Sequence, residues 1–389
     1  MNPQSRVAKH VRDLPFSGIR TFFDIVATRK DIISLGVGEP DFDAPGAVRE
    51  AAIGSLERGE THYTSNRGDP GLRQSIARYV SREFGADYDW EKEVLVTVGV
   101  SEAIDIALRT ILNPGEEVLY HEPCFVSYRP SILLAGGTPV CVETRREDEF
   151  RLTRPMLEQA VTPRTRVLML NFPCNPTGAV LSREDVEDIS DFCIRHDLLL
   201  LTDEIYAELT YERKHVSFIS VPGMRERTIF LHGMSKAWAM TGFRIGYACC
   251  PFDISENMMK LHQYAIMSAP TTGQRAAAEA LEHGEQAVAA MVAEYNRRRN
   301  YLISAFEEMG VPCHTPAGAF YAFPYIGGFG LSSRDFAMRL LETQNVAAVP
   351  GDAFGRSGIG FLRCAYATSM GNLREAMKRL SVFVGTLRS

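Results

Sequence analysis

Thr228–Leu231 reads as a short buried strand, and it is followed by His232-Gly233-Met234-Ser235-Lys236. Most lysines are solvated surface cations. Lys236 instead lies among Met234, Trp238 and Met240, surroundings that lower the pKa of an ammonium group and free its amine as a nucleophile. A second chemical group, Asp203, opens Asp203-Glu204-Ile205-Tyr206 directly after the apolar run Leu198–Thr202. A carboxylate there is costly without a cationic or hydrogen-bonding partner, although in isolation it reads equally as a helix N-cap. After Val94–Val98 comes Gly99-Val100-Ser101-Glu102-Ala103, a small residue opening a helix whose free N–H groups suit a phosphate. Many helices begin this way, so that signal is weak alone. The turn Asn171-Phe172-Pro173-Cys174-Asn175-Pro176-Thr177-Gly178 fixes a side-chain amide in place or is only a turn.

Each of these groups stands just past a candidate strand, and in open α/β sheets ligands bind beyond the carboxyl ends of the strands. Between about residues 90 and 250 the strand candidates are Val94–Val98, Val118–Tyr120, Pro139–Val142, Val167–Leu170, Leu198–Thr202, Thr228–Leu231 and Gly246–Cys250. Helical stretches fill the gaps, as at Arg183–His196, where Val186, Ile189, Phe192 and Cys193 recur at helical spacing. The alternation predicts an α/β fold with a mostly parallel sheet between helices. After residue 280 comes a long helix, Gln286–Met309, ended by Gly310 and Pro312. A smaller α/β unit follows: a strand at Ala319–Phe323, a helix at Ser333–Glu342, strands at Val346–Val349 and Gly360–Ala365, and a final helix with an apolar stripe from Leu373 to Leu387. With 389 residues, the chain exceeds what one core usually supports. Two domains are expected, a large one over 46–284 and a small one built from 1–45 and 285–389.

Hydrophobic residues make up 45% of the chain and charged residues 23%, the balance of a globular protein. A net charge of -6 offers no global positive field for nucleic acid or an anionic membrane. Any bound anion must be met by local groups. The eight cysteines show no CxxC pairing and read as reduced core thiols. Met1–Pro15 is polar and basic, without an apolar signal region, and no stretch reaches the length of a membrane span. The expectation is a cytoplasmic protein with no metal site.

Four motifs, Asn175-Pro176-Thr177-Gly178, Asp203-Glu204-Ile205-Tyr206, Ser235-Lys236 and Thr241-Gly242-Phe243-Arg244, resemble in order and spacing those of class I/II aminotransferases of the aspartate aminotransferase superfamily, fold type I. The resemblance covers essentially the full length. It implies pyridoxal 5'-phosphate as cofactor, carried by Lys236 as a Schiff base, with the same amine moving the proton between the substrate α-carbon and the cofactor. It implies that Asp203 pairs with the pyridine nitrogen and that Asn175 and Tyr206 hydrogen-bond the phenolic oxygen. Arg244, Ser235 and the backbone at Val100 and Ser101 match the phosphate cradle, and Phe125 matches the aromatic that stacks on the ring. Arg363 matches the fork that grips the substrate carboxylate, beside the Gly38 loop. Tyr63 resembles a tyrosine that reaches the neighbouring subunit's phosphate site, which implies a homodimer.

Two departures bear on substrate. Gly233 stands where relatives often carry a serine, and Ser101 stands where aspartate-preferring relatives often carry a lysine. Ser17-Gly18-Ile19-Arg20, Gly36-Val37-Gly38-Glu39-Pro40-Asp41-Phe42 and Pro123-Cys124-Phe125-Val126-Ser127-Tyr128 look most like broad-specificity and aromatic aminotransferases. The expected reaction moves the amino group of an aromatic, alanine or aspartate-type L-amino acid to a 2-oxo acid such as 2-oxoglutarate in ping-pong fashion. A carbon–sulfur β-lyase on the same scaffold is the alternative. A DNA-binding regulator lacks room before Ile32 and has the wrong charge. A nicotinamide enzyme is disfavoured because Asp41 stands where a dinucleotide fingerprint needs its third glycine.

Overall fold

The computed structural model describes residues 6–14 and 31–388; the Ser17–Arg20 motif lies outside them. In chain order the strands are β1 (Ile33–Ser34), β2 (Val94–Val98), β3 (Glu117–Glu122), β4 (Thr138–Glu143), β5 (Thr165–Asn171), β6 (Leu199–Asp203), β7 (Thr228–Gly233), β8 (Ile245–Cys249), β9 (Tyr321–Ala322), β10 (Val346–Ala347), β11 (Val349–Pro350) and β12 (Leu362–Ala365). Seven of them form one sheet in the order β2-β8-β7-β6-β5-β3-β4. All its pairings are parallel except those of β8, which runs antiparallel to both neighbours. Val-, Leu- and Ile-rich strands buried on both faces are what such a sheet requires, because helices cover both sides. Leu200, Leu201, Ile229, Phe230 and Leu231 are all fully buried.

Local sequence sets the helix ends. Helix Pro70–Phe84 starts at Asp69, whose carboxylate accepts from Leu72 N at 3.1 Å, and stops at Gly85 in the left-handed region. Ser182 and Asp185 form a capping box at the start of helix Arg183–Arg195. Helix Gly99–Ile111 has no side-chain cap, and among the described residues no side chain accepts from the N–H groups of its first turn. That helix starts from the carboxyl end of β2.

The small sheets tie the two ends of the chain together. β1 pairs in parallel with β10, and Leu35 N donates to Ala347 O at 2.7 Å. β11, β12 and β9 form an antiparallel sheet in that order. Ala365 N donates to Leu35 O at 2.7 Å, so the segment after β1 runs between these sheets and delivers Gly36 and Gly38 to the end of the large sheet.

The large-sheet strands shift by at most two residues at either end, whereas the three expected strands of the smaller unit are reorganised. Val346–Val349 is two strands, because β10 pairs with β1 and β11 with β12, and Ala348 changes sheet between them. Ala319–Phe323 shortens to β9, since Ala319 adopts a left-handed φ of 56° and its N–H donates to Leu209 O instead of a strand partner. Gly360–Ala365 begins as strand only at Leu362, after Gly360 at a φ of 85°. Among the described residues no helix is long and apolar enough to cross a membrane, and no cluster of metal-binding side chains occurs.

Candidate active site

The carboxyl ends of β2, β5, β6 and β7 converge on a cavity of about 620 Å³. Gly38, Val100, Ser101, Phe125, Asn175, Asp203, Tyr206, Ser235, Lys236, Arg244 and Arg363 all line it. Of the residues assigned to cofactor or substrate from the sequence, only Tyr63 stays outside. It is 79% exposed on the surface.

Asp203 ends β6 and is buried. Burial pushes its pKa up to about 6, against the pull of two donors that favour the anion. These are Tyr128 Oη, 2.7 Å from Oδ2, and Ile205 N, 3.2 Å from Oδ1. Lys236 follows β7 on a tight turn, and its Nζ donates to Gly38 O at 2.7 Å. Burial, and then the nearby Arg363 guanidinium, lower its pKa to about 8. A lysine in that state presents roughly a tenth of its amine unprotonated at pH 7, far more than an ordinary lysine, and the neutral amine is what attack on an aldehyde demands.

Arg363 in β12 is buried, with its face over the rings of Tyr321 and Phe354 at 4.6 and 4.9 Å. One terminal nitrogen donates to Asn175 Oδ1 at 3.0 Å and the other to Gly36 O at 2.6 Å, while Nε has no hydrogen-bond partner among the described residues. A buried guanidinium that carries an unmet donor is suited to a carboxylate. Gly38 must be a glycine here because a Cβ would come within 2.7 Å of Tyr321 Oη. Tyr321 Oη in turn lies 2.9 Å from Tyr206 Oη, so two phenols share one wall.

At the other end, Arg244 holds a left-handed φ of 56°, its Nη1 donates to Thr241 O at 3.0 Å, and its guanidinium lies over Gly99, where any Cβ would collide with it. Cation, helix N-terminus and Ser235 therefore face one region, a donor set suited to a dianionic phosphate. Between the two ends stand an amine, a buried carboxylate with no cation hydrogen-bonded to it among the described residues, and the flat ring of Phe125. This set fits pyridoxal 5'-phosphate group by group: amine for aldehyde, carboxylate for ring nitrogen, donors for phosphate.

Residues 30–380 match the family Aminotransferase class I and II. The chain belongs to this family. It is 46% identical over 367 residues to an aspartate aminotransferase of Pyrococcus abyssi, covering 94% of both chains. It is also 46% identical over 367 residues, with the same coverage, to aromatic-amino-acid aminotransferase 2 of Thermococcus litoralis. The crystal structure of an aromatic aminotransferase from Pyrococcus horikoshii superposes with a TM-score of 0.91 at 44% identity, over 94% of this chain and 99% of that one. The protein is thus a fold type I aminotransferase, and its cofactor is pyridoxal 5'-phosphate.

Several cavity residues escaped the sequence reading. Tyr128 and Tyr321 were given no role, yet one donates to Asp203 and the other pairs with Tyr206. Asn171 orders the floor, with Nδ2 donating to Asp203 O at 2.8 Å and Oδ1 accepting from Asn175 N at 3.1 Å. Thr241 donates to Glu39 across the cavity rim. The available signal was position: Tyr128 follows Phe125 by three residues within a quoted motif, and Asn171 ends its strand as Asp203 ends the next.

Proposed function

We propose that the protein moves the amino group of an aromatic, alanine or aspartate-type L-amino acid to a 2-oxo acid such as 2-oxoglutarate, in two half-reactions with the first product leaving before the acceptor binds. The observation that carries this reading is the pairing, in one cavity, of a weakly basic Lys236 with the buried carboxylate of Asp203. The cofactor, when bound, supplies an electron sink for the pair left when the substrate Cα–H bond breaks. Lys236 Nζ would take that proton from the substrate α-carbon and return it two atoms away, to the cofactor carbon that carries the amine. Asp203 keeps a proton on the ring nitrogen, Asn175 and Tyr206 hydrogen-bond the phenolic oxygen, and Phe125 covers one ring face. Val100 N, Ser101, Ser235 and Arg244 hold the phosphate, and Arg363 grips the substrate carboxylate next to Gly38. Val126, Ile104 and Ile205 supply an apolar wall that supports an aromatic side chain.

The reading extends to the assembly. We propose a homodimer in which Tyr63 reaches the neighbouring phosphate site; Tyr63 and Tyr264 are 79% and 86% exposed in the single chain. The proposed small domain, 1–45 with 285–389, is supported by the β1–β10 pairing. The eight unpaired cysteines support a reducing, cytoplasmic setting.

The test is the absorbance of the purified holoenzyme while aromatic amino acids, alanine, aspartate, glutamate or the sulfur-linked cystathionine are added singly without a 2-oxo acid. Loss of the cofactor's visible band, reversed by 2-oxoglutarate, is expected. A band that persists while pyruvate and ammonia accumulate would overturn the reading.

A further inference from the structure

Glu102 lies in the first turn of helix Gly99–Ile111, the helix whose N-terminus is assigned above to the phosphate. An acidic side chain there is drawn to the same positive helix end that attracts an anionic ligand. Both of its oxygens are engaged elsewhere. Oε2 accepts from Val98 N at 2.5 Å, one residue outside the helix, and Oε1 lies 2.6 Å from Nδ1 of His262. His262 comes from helix Phe252–Ala265 and is fully buried. Its carbonyl accepts from Ile266 N at 2.9 Å and Met267 N at 3.0 Å, which fixes the end of that helix. Among the described residues Nε2 of the ring has no hydrogen-bond partner, so Glu102 is the one polar contact that accounts for a buried imidazole here.

We propose that His262 is a positioning residue for the cofactor phosphate: by holding Glu102 away from the first turn of helix Gly99–Ile111, it leaves those N–H groups to the ligand. The inference rests on the assignment of this helix end to the phosphate. Without the imidazole, Oε1 becomes a buried acceptor lacking a partner; Oε2 already holds the N-cap N–H of Val98, so the donors that the helix still offers are the N–H groups of its first turn. The carboxylate then competes with the phosphate for hydrogen bonds and repels its charge. His262 touches neither substrate nor cofactor; its effect passes through Glu102.

The experiment measures dissociation constants of pyridoxal phosphate and phosphate-free pyridoxal for apoenzyme of four forms: wild type, His262→Phe, Glu102→Gln and the double variant. His262→Phe is expected to weaken pyridoxal phosphate by roughly tenfold, the size of one charge-assisted hydrogen bond, and to leave pyridoxal unchanged. Adding Glu102→Gln restores the affinity, because the neutral amide neither repels nor outcompetes the phosphate. Glu102→Gln alone binds the phosphate form at least as tightly as wild type, a result that stands even if His262→Phe fails to fold. Equal loss for both ligands, no loss, no restoration in the double variant, or weakened binding by Glu102→Gln alone would each overturn the inference. A wild type that does not distinguish the two ligands would instead overturn the phosphate assignment, and the inference with it.

Discussion

Lys236 and Asp203 show how one buried setting moves two pKa values in opposite directions. Burial penalises the charged form in both cases, so the ammonium loses its proton more easily and the carboxyl keeps its proton longer. For Lys236 the consequence is kinetic. The neutral amine is the form that attacks an aldehyde, so the second-order rate of cofactor capture by apoenzyme should rise as pH increases through about 8 and level off above it. Stopped-flow absorbance across pH 6 to 10.5 reads this directly. A rate still climbing steeply at the top of that range, where an ordinary lysine of pKa 10.5 titrates, would show that the cavity does not lower the amine's basicity. Both residues were legible in the sequence because a charge at the end of an apolar run is conspicuous. Tyr128 was not, since its partner Asp203 lies 75 positions along the chain and a single tyrosine at the start of a helix carries no periodic signal.

At the scale of elements, the strands read most accurately were the buried ones. Val94–Val98 was placed to the residue, and helix Arg183–Arg195 to within one. Continuous apolar runs bounded by polar turns announce themselves. What they do not announce is direction or partner, so the antiparallel β8 and the division of Val346–Val349 between two sheets had to come from packing. β8 matters to the site through Gly246, where an added Cβ would lie 2.5 Å from both Gly99 C and Val100 N. Main chain cannot yield as a flexible side chain does. Gly246→Ala should therefore force β8 away from the start of helix Gly99–Ile111, lowering apoenzyme stability by about 1–3 kcal/mol and weakening cofactor binding. Gly242→Ala, in the turn before Arg244, meets nothing within 4 Å and should change neither. Denaturant midpoints and cofactor titrations of both variants decide it; a Gly246→Ala protein as stable and as tight-binding as wild type would mean the strand and helix are not in close contact.

For the whole molecule the question is how many chains make one site. Tyr63 stands clear of its own cavity, and the segment carrying it is bound to the one carrying Met267: Asn66 Nδ2 donates to Met267 O at 2.8 Å, and Thr271 Oγ1 to His62 O at 2.7 Å. Tyr264, Ile266 and Met267 are exposed on that second segment, a concentration of apolar surface of the kind that marks association. In the proposed two-fold dimer each chain would lend its Tyr63 to the other's phosphate site. A Lys236→Ala chain then lacks its own amine but still offers Tyr63, whereas a Tyr63→Ala chain keeps the amine and damages the partner's site. Each variant alone should be impaired at limiting cofactor. Refolded together in equal amounts, half the dimers are mixed, and in each of these one site has both groups intact. The mixture should therefore regain about a quarter of wild-type activity under those conditions, beyond the sum of the two variants measured apart. Activity equal to that sum would mean that Tyr63 acts within its own chain or not at all.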